Sequence, residues 1–456
     1  MQAIVSVITT VFWGLLLLSA LVFVHEGGHY LAARACGVRV TEYFLGLPCR
    51  WRASFVSKRN GTRFGITPLL LGGYAMICGM DPTKSEHAAQ VLGFVHRNGR
   101  ASVEDIAREL AITEDEALEA CIQLMDWGSV APVYDPEQGE CEGGSTYPST
   151  YASVPRDAAG NTVLDGRQFD RAHATAEGEV WNPPCTDEEF LERERSHTYL
   201  GKGFWRRASM LIAGIFVNLL FGFLLLMCIY SVVGIEVAQN TNVIGGIEAG
   251  SIAEEIGIEP GDAVRSIGGM ETETWEDIIA AISAAKGADE PFEVVFEHDG
   301  TVQRATVELA PDEILGVTVS YGIVRLSPVD SARQAWWYIS ETARGIARLF
   351  NPQHTLEMLD SSTSVVGISV MSAQAAAEGP TTFLALAALI SFSLGLMNLL
   401  PIPPLDGGKL VIEVIQAVTR RELPLKVQTI VSYVGVALFL ALFVYVLRND
   451  ILRFII

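Results

Sequence analysis

Two histidines and a glutamate in Val24-His25-Glu26-Gly27-Gly28-His29 have the types and spacing for hydrolytic chemistry. Residues four apart lie on one helix face, so His25 and His29 present their imidazoles together. This is the H-E-x-x-H pattern: two imidazoles for one zinc ion and a carboxylate placed to take a proton from water. A second polar group stands out far along the chain, in Met397-Asn398-Leu399-Leu400-Pro401-Ile402-Pro403-Pro404-Leu405-Asp406-Gly407-Gly408. Asp406 is an acid in an apolar setting, and an intramembrane carboxylate is costly enough to imply a function. Catalytic zinc takes three protein ligands and keeps a fourth position open, so Asp406 is the candidate third ligand.

These residues need a membrane around them. Half of the 456 residues are hydrophobic, too many for an ordinary soluble chain, and the length allows two or three domains. Four stretches supply the roughly 20 apolar residues that a bilayer demands: Ala3–Val24, Ala208–Ile235, Thr381–Leu400 and Val427–Leu447. A cleaved signal peptide fits the first poorly, since no positive residue precedes it. The seven cysteines form no C-x-x-C pair, which argues against a disulfide framework or a cysteine zinc finger. Basic residues set the orientation. Arg34, Arg39, Arg50, Arg52, Lys58, Arg59 and Arg63 follow the first span; Lys202, Arg206 and Arg207 precede the second; Lys409, Arg420, Arg421 and Lys426 separate the third and fourth. The positive-inside rule puts these in the cytoplasm, with both termini and residues 236 to about 380 outside.

The first span and its motif occupy residues 1–36. Residues 37–80 read as a membrane-entering β-hairpin region, because Arg63–Met76 is apolar but rich in Gly, Pro and β-formers. Such backbone is tolerated at membrane depth only beneath protein or beside a wet cavity, and a free edge could pair with an extended substrate. An amphipathic loop is the alternative. Residues 81–200 hold 24 Asp/Glu and 9 Lys/Arg, a net −15. Within 81–135, Ser102-x-x-Asp105 and Thr113-x-x-Glu116 each open an apolar-faced helix, and Val91–Tyr134 resembles a winged helix-turn-helix. Its would-be recognition helix carries Glu114, Asp115, Glu116, Glu119 and Asp126 and no basic residue. Phosphate binding runs on Lys and Arg, so a cytoplasmic protein is the expected partner and nucleic acid is not. Residues 136–200 read as an acidic linker, partly disordered.

Residues 201–236 hold the second span, in which Asn218 must find a partner, either between helices or beside the active site. Residues 237–312 read as an α/β module whose Gly257-Ile258-Glu259-Pro260-Gly261-Asp262 turn resembles that of bacterial PDZ domains, which bind extended peptide ends. Residues 313–380 form an interfacial amphipathic segment around Ser331–Phe350; a soluble helix packed on the preceding module is the alternative. The third span covers 381–400, an Asp-Gly-Gly metal-ligand loop 401–426, and the fourth span 427–448.

Together, H-E-x-x-H in the first span, Gly72-Gly73-Tyr74, the PDZ-like module and Asn398-x-x-Pro401-x-Pro403-Pro404-x-Asp406-Gly407 resemble the site-2 protease family of intramembrane zinc metalloproteases. The likeness is strongest to its bacterial PDZ-containing branch, the regulators of the envelope stress response. It covers residues 1–80 and about 201–456, and leaves out the insertion. It implies an α-helical polytopic protein of the bacterial cytoplasmic membrane. About four transmembrane helices would carry a membrane-entering β-hairpin, an extracytoplasmic PDZ domain and a cytoplasmic winged-helix-like insertion. It implies Zn2+ held by His25, His29 and Asp406, with Glu26 as general base and then acid. It also implies that Asn398 contacts the substrate backbone and that Gly72, Gly73 and Tyr74 receive an unwound substrate. That substrate would be a single-span membrane protein in the bilayer, such as an anti-sigma factor already trimmed by an upstream site-1-type protease. Two positions depart from the family: Ile215 replaces a proline in the second span, and Ser364-Val365-Val366-Gly367 replaces S-G-P-x-G. An inactive signalling scaffold is the rival reading, against which the intact His25, Glu26, His29 and Asp406 count. A metal transporter would need further ligands along a path.

Overall fold

Gln2–Ala35 form one helix, α1, which carries the first apolar run straight through the histidine pair. No proline interrupts it, and it ends where Gly37 takes a left-handed turn (φ 71°). The computed structural model describes residues 2–49, 51–141, 147–287, 290–310, 313–421 and 423–454; Arg50, one of the basic residues used for orientation, lies outside them. Among the described residues, four helices are long and apolar enough to cross a membrane: Ser6–Ala35, Phe204–Val233, Pro380–Asn398 and Lys426–Arg453.

After α1 come β1 (Val40–Leu45), β2 (Ala53–Val56), β3 (Arg63–Ile66) and β4 (Gly73–Ile77), in the sheet order β2-β3-β1-β4. Residues 63–76 therefore do not fold back as a hairpin. β1 lies between β3 and β4, parallel to the first and antiparallel to the second. The connecting backbone arches over the end of β1, Thr67 N donating to Leu45 O at 2.9 Å and Gly46 N to Gly72 O at 2.8 Å. β4 is left as an edge strand of this sheet.

The insertion folds throughout its described length. Its elements are α2 (Ala88–Asn98), β5 (Arg100–Ser102), α3 (Val103–Leu110), α4 (Glu114–Asp126), β6 (Val130–Val133), β7 (Thr150–Ser153) and α5 (Asp187–Arg195). Ser102 caps α3, and Thr113 with Glu116 forms a full capping box on α4. The stretch 136–200 is not a linker. It supplies β7, the middle strand of a β5-β7-β6 sheet, and buries Tyr151 and Phe190 in one core with Val91, Ile106 and Leu124. Its acidity is misleading because some of the acid is buried and paired. Arg39 donates to Asp165 at 2.7 and 2.8 Å and to Glu194 at 2.6 Å, while Arg156 donates twice to Glu194 at 2.8 Å. Burial alone would raise the Glu194 carboxyl; Arg156 and Arg39 override it and hold it well below the ordinary range. Since Arg39 directly precedes β1, this network ties the insertion to the end of α1.

α6 (Phe204–Cys228) returns into the apolar region and runs without a break through Ile215. A separate unit, Leu226–Gln334, follows. It contains β8 (Ile235–Ala238), β9 (Ile244–Ile247), α7 (Ile252–Glu255), β10 (Ala263–Ile267), β11 (Met270–Glu271), α8 (Trp275–Gly287), β12 (Phe292–His298), β13 (Thr301–Val307), β14 (Val317–Val319) and β15 (Tyr321–Val324). Ile258, Val264 and Phe296 lie in its core. The turn before β10 uses Gly257 (φ 81°) and Gly261 (φ 105°), and the Asp262 carboxylate accepts from Glu259 N at 2.8 Å.

The remaining helices are α9 (Pro328–Arg348), α10 (Thr355–Ser361), α11 (Val365–Glu378), α12 (Pro380–Asn398), α13 (Asp406–Thr419) and α14 (Leu425–Phe454). Two differ from expectation. α11 is apolar and packs on α1, Gly14 lying directly against Ser369; its 14 residues are too few to read as a span. The Asp450 carboxylate of α14 caps it, accepting from Ser364 N at 2.5 Å and Gly367 N at 3.1 Å. And 401–426 is no loop, since Asp406 opens α13. Gly407 lies against the backbone of Leu399 and Leu400, and Gly408 and Gly435 against that of Pro403, so the proline turn seats tightly on α14.

Candidate metal centre

His25 and His29 are buried side by side on α1, and the start of α13 brings Asp406 to them. Asp406 Oδ2 lies 3.0 Å from His25 Nε2 and 3.1 Å from His29 Nε2, and the two nitrogens are 3.2 Å apart. Tetrahedral zinc with bonds of about 2.0–2.1 Å sets its ligand atoms about 3.3–3.4 Å apart, so the triangle is close to the size of one face. The second ring nitrogens decide what the triangle can hold. His29 Nδ1 is 2.7 Å from the Met210 carbonyl, which only accepts, so Nδ1 carries a proton and the neutral imidazole keeps Nε2 bare. His25 Nδ1 faces the Asn218 amide, whose Nδ2 is at 3.3 Å while Oδ1 has no partner. Turning the amide over lets Oδ1 accept from His25 Nδ1–H, which satisfies the orphan atom and bares His25 Nε2 as well. Two bare nitrogens and a carboxylate oxygen then point lone pairs at one another within 3.2 Å. Such a set repels itself without a cation at its centre, and zinc fits the N, N, O donors.

α6 holds this arrangement from behind. Asn218 is fully buried, and its own carbonyl accepts from Ser391 Oγ at 2.8 Å, fixing α6 to α12. Gly28 of α1 lies against Ala213 and Gly214 of α6, and a Cβ on Gly214 would come within 2.8 Å of Cε1 of both His25 and His29. The close crossing of small residues is what lets one helix support the histidines of the other. Gly28 and Gly214 were legible only as small residues in apolar runs. The Met210 carbonyl is a backbone group and leaves no side-chain signal. Lys409, one turn into α13, places Nζ 3.9 Å from Asp406 Oδ1.

Glu26 flanks the pair, and its Oε2 accepts from the Ala75 N–H of β4 at 3.2 Å. The edge strand thus positions the carboxylate beside the histidines. Gly73 packs on the backbone of Phe44 and Phe23, Gly72 N donates to Ser19 Oγ at 3.3 Å, and Tyr74 OH donates to Glu42 at 2.7 Å. The Gly73 and Gly72 contacts hold β4 against α1, whereas Tyr74 bonds β4 to β1, away from the histidines. Asn398 donates to the Leu394 carbonyl of its own helix at 3.0 Å, so the structure does not join it to the triangle.

Buried histidines and an acid converging among membrane-length helices define a polytopic membrane metallohydrolase. Residues 13–442 match Peptidase family M50, and the chain belongs to that family. It is a multi-pass membrane zinc metalloprotease of the site-2 type, with Zn2+ as its cofactor. Among its relatives, it is 28% identical to a protein of Geobacillus kaustophilus named zinc metalloprotease RasP, over 95% of this chain and 96% of the relative. It is 25% identical to a Bacillus subtilis protein named regulator of sigma-W protease RasP, over 98% and 99%. At this coverage both matches extend into residues 81–200, so the likeness does not leave that stretch out as expected.

Proposed function

We propose that this chain is an intramembrane endopeptidase that cuts the transmembrane segment of single-span membrane proteins. The observation that carries the reading is the triangle of His25 and His29 on α1 and Asp406 at the start of α13, with Glu26 held beside it by an edge strand. In this reading the three residues hold zinc, which when bound supplies the Lewis acid that makes water acidic and polarises the scissile carbonyl. The chain does the rest. Glu26 takes the proton of the attacking water and returns it to the departing amine. Asn218 and the Met210 carbonyl keep both imidazoles in the tautomer that bares Nε2. β4 offers its edge to an unwound substrate, which would run past Glu26 through Gly73 and Ala75. Asn398, freed from its bond to Leu394, would meet the substrate backbone.

The name of the Bacillus subtilis relative supports a regulatory membrane substrate such as an anti-sigma factor; its trimming beforehand by another protease rests on the family resemblance alone. The positive-inside pattern supports a cytoplasmic insertion and an extracytoplasmic Leu226–Gln334 unit in the bacterial cytoplasmic membrane. The helix-strand-helix-helix-strand-strand order of residues 88–153 supports a winged-helix reading of the insertion, used for a protein partner. The two-glycine turn closed by Asp262 supports a PDZ domain that binds or screens the trimmed substrate. The test is co-expression with a candidate single-span substrate. Wild type should cleave it, and Glu26→Gln should keep its zinc and lose cleavage. Cleavage by Glu26→Gln at the wild-type rate sinks the proposal.

A further inference from the structure

A cavity of about 460 Å³ opens where α1 ends and α6 begins. Its lining includes Arg34, Arg39, Asp165, Lys202 and Arg206. Asp165 is held by the two hydrogen bonds from Arg39, and Glu194 balances Arg156. Arg34 uses one nitrogen on the carbonyls of Leu164 and Val38 and has no carboxylate partner among the described residues. Lys202 and Arg206 have none either among the described residues. Three unbalanced cations therefore share one concavity, at the foot of an insertion whose net charge is −15. Like charges held together in a cavity are stabilised by an anion.

The position says which anion. Arg34 is the penultimate residue of one membrane-length helix, and Lys202 and Arg206 bracket the start of another at Phe204. Trp205, between them, is 82% exposed, as suits an aromatic anchor at headgroup level. Basic pockets between transmembrane helices at that level recognise phospholipid headgroups.

We propose that this cavity binds the phosphate of an anionic phospholipid headgroup through Arg34, Lys202 and Arg206. A bound lipid would bridge the end of α1, the start of α6 and the insertion, tying all three to the bilayer surface. The cavity is separate from the metal centre, so its occupancy and zinc content can be read independently.

The test uses the full-length purified chain in detergent, with native mass spectrometry to count bound lipid. Micelles are doped with phosphatidylglycerol or phosphatidylcholine, with inorganic phosphate in a separate arm. Wild type should retain phosphatidylglycerol in preference to phosphatidylcholine. Lys202→Gln/Arg206→Gln should lose about thirtyfold in that preference, at about fivefold per cation. Arg420→Gln/Arg421→Gln, which removes the same charge outside the cavity, should keep it. Zinc content should stay at one per chain in all three, which verifies the fold. Equal retention of both lipids by wild type, or full preference in the Lys202/Arg206 variant, overturns the proposal. Displacement of the lipid by millimolar inorganic phosphate also overturns it, assigning the cavity to a free phosphate compound.

Discussion

Replacing Gly214 with alanine should weaken zinc binding without substituting any of the three residues of the triangle. A Cβ there would lie 2.8 Å from Cε1 of both histidines, where ordinary contact begins at 3.4 Å, and closer still to His29 Nε2. The rings must retreat by at least about 0.6 Å, whereas zinc ligands hold their distances to about 0.2 Å. Loss of a supporting contact alone weakens metal binding about 10–100-fold. Direct displacement should reach the upper end, consistent with the roughly 1–3 kcal/mol cost of overpacking. Gly28→Ala should act more bluntly, since its Cβ would meet the backbone of Ala213 and Gly214, which yields only if the helices part. Gly203→Ala is the control, because nothing lies within 4 Å of its Cβ position. The assay equilibrates each full-length variant against buffered zinc and reads bound metal by atomic absorption. Gly203→Ala should match wild type. If Gly214→Ala binds zinc within twofold of wild type, the helix crossing does not position the histidines as described.

Asn218→Ala should weaken zinc binding about 10–100-fold in the same titration, with the helical circular dichroism unchanged; an unaltered affinity means His25 Nδ1 needs no partner. Glu194→Gln leaves Arg39 and Arg156 buried without their shared carboxylate, and loss of one partner from such a group costs about 3–5 kcal/mol. Limited proteolysis should therefore cut first within 150–195, and wild-type resistance would show the network to be dispensable. Burial, with a smaller push from Asp81, raises the Asp126 carboxyl to about 6 despite the Gly79 N–H bond. Between its ordinary value near 3.9 and about 6, the folded chain holds a proton that the unfolded chain releases, so stability falls as pH rises through that window. Asp126→Asn keeps the Gly79 bond and should flatten this slope in chemical denaturation from pH 4 to 7; an unchanged slope assigns it elsewhere.

What the sequence disclosed about the centre, and what it hid, divides along the range of the physics. His25, Glu26 and His29 are spaced by local helix geometry, so a short stretch reveals them. Asp406 shows itself because a carboxylate beside glycines and prolines in an apolar run has no cheap structural excuse. The supporting groups are non-local. Ala75 N–H and the Met210 carbonyl belong to every residue's backbone, and only the β4 edge and the α1–α6 crossing give them a role. The insertion misled for a related reason. Composition reads acid as solvated, but Asp165 is neutralised by Arg39, 126 positions away, and Glu194 by Arg39 and Arg156, 155 and 38 positions away. Arg39 was read as a topology signal, one of many basic residues after the first span. Its fork geometry instead grips two acids from the far end of the insertion. That pairing changes how residues 81–200 should be understood. A passenger domain needs only a flexible tether, whereas this one is joined by buried guanidinium–carboxylate bonds to the chain four residues beyond the last turn of the helix that carries His25 and His29. Strain or partner binding at the insertion therefore bears on the short connection that joins β1 to α1, the helix that carries His29.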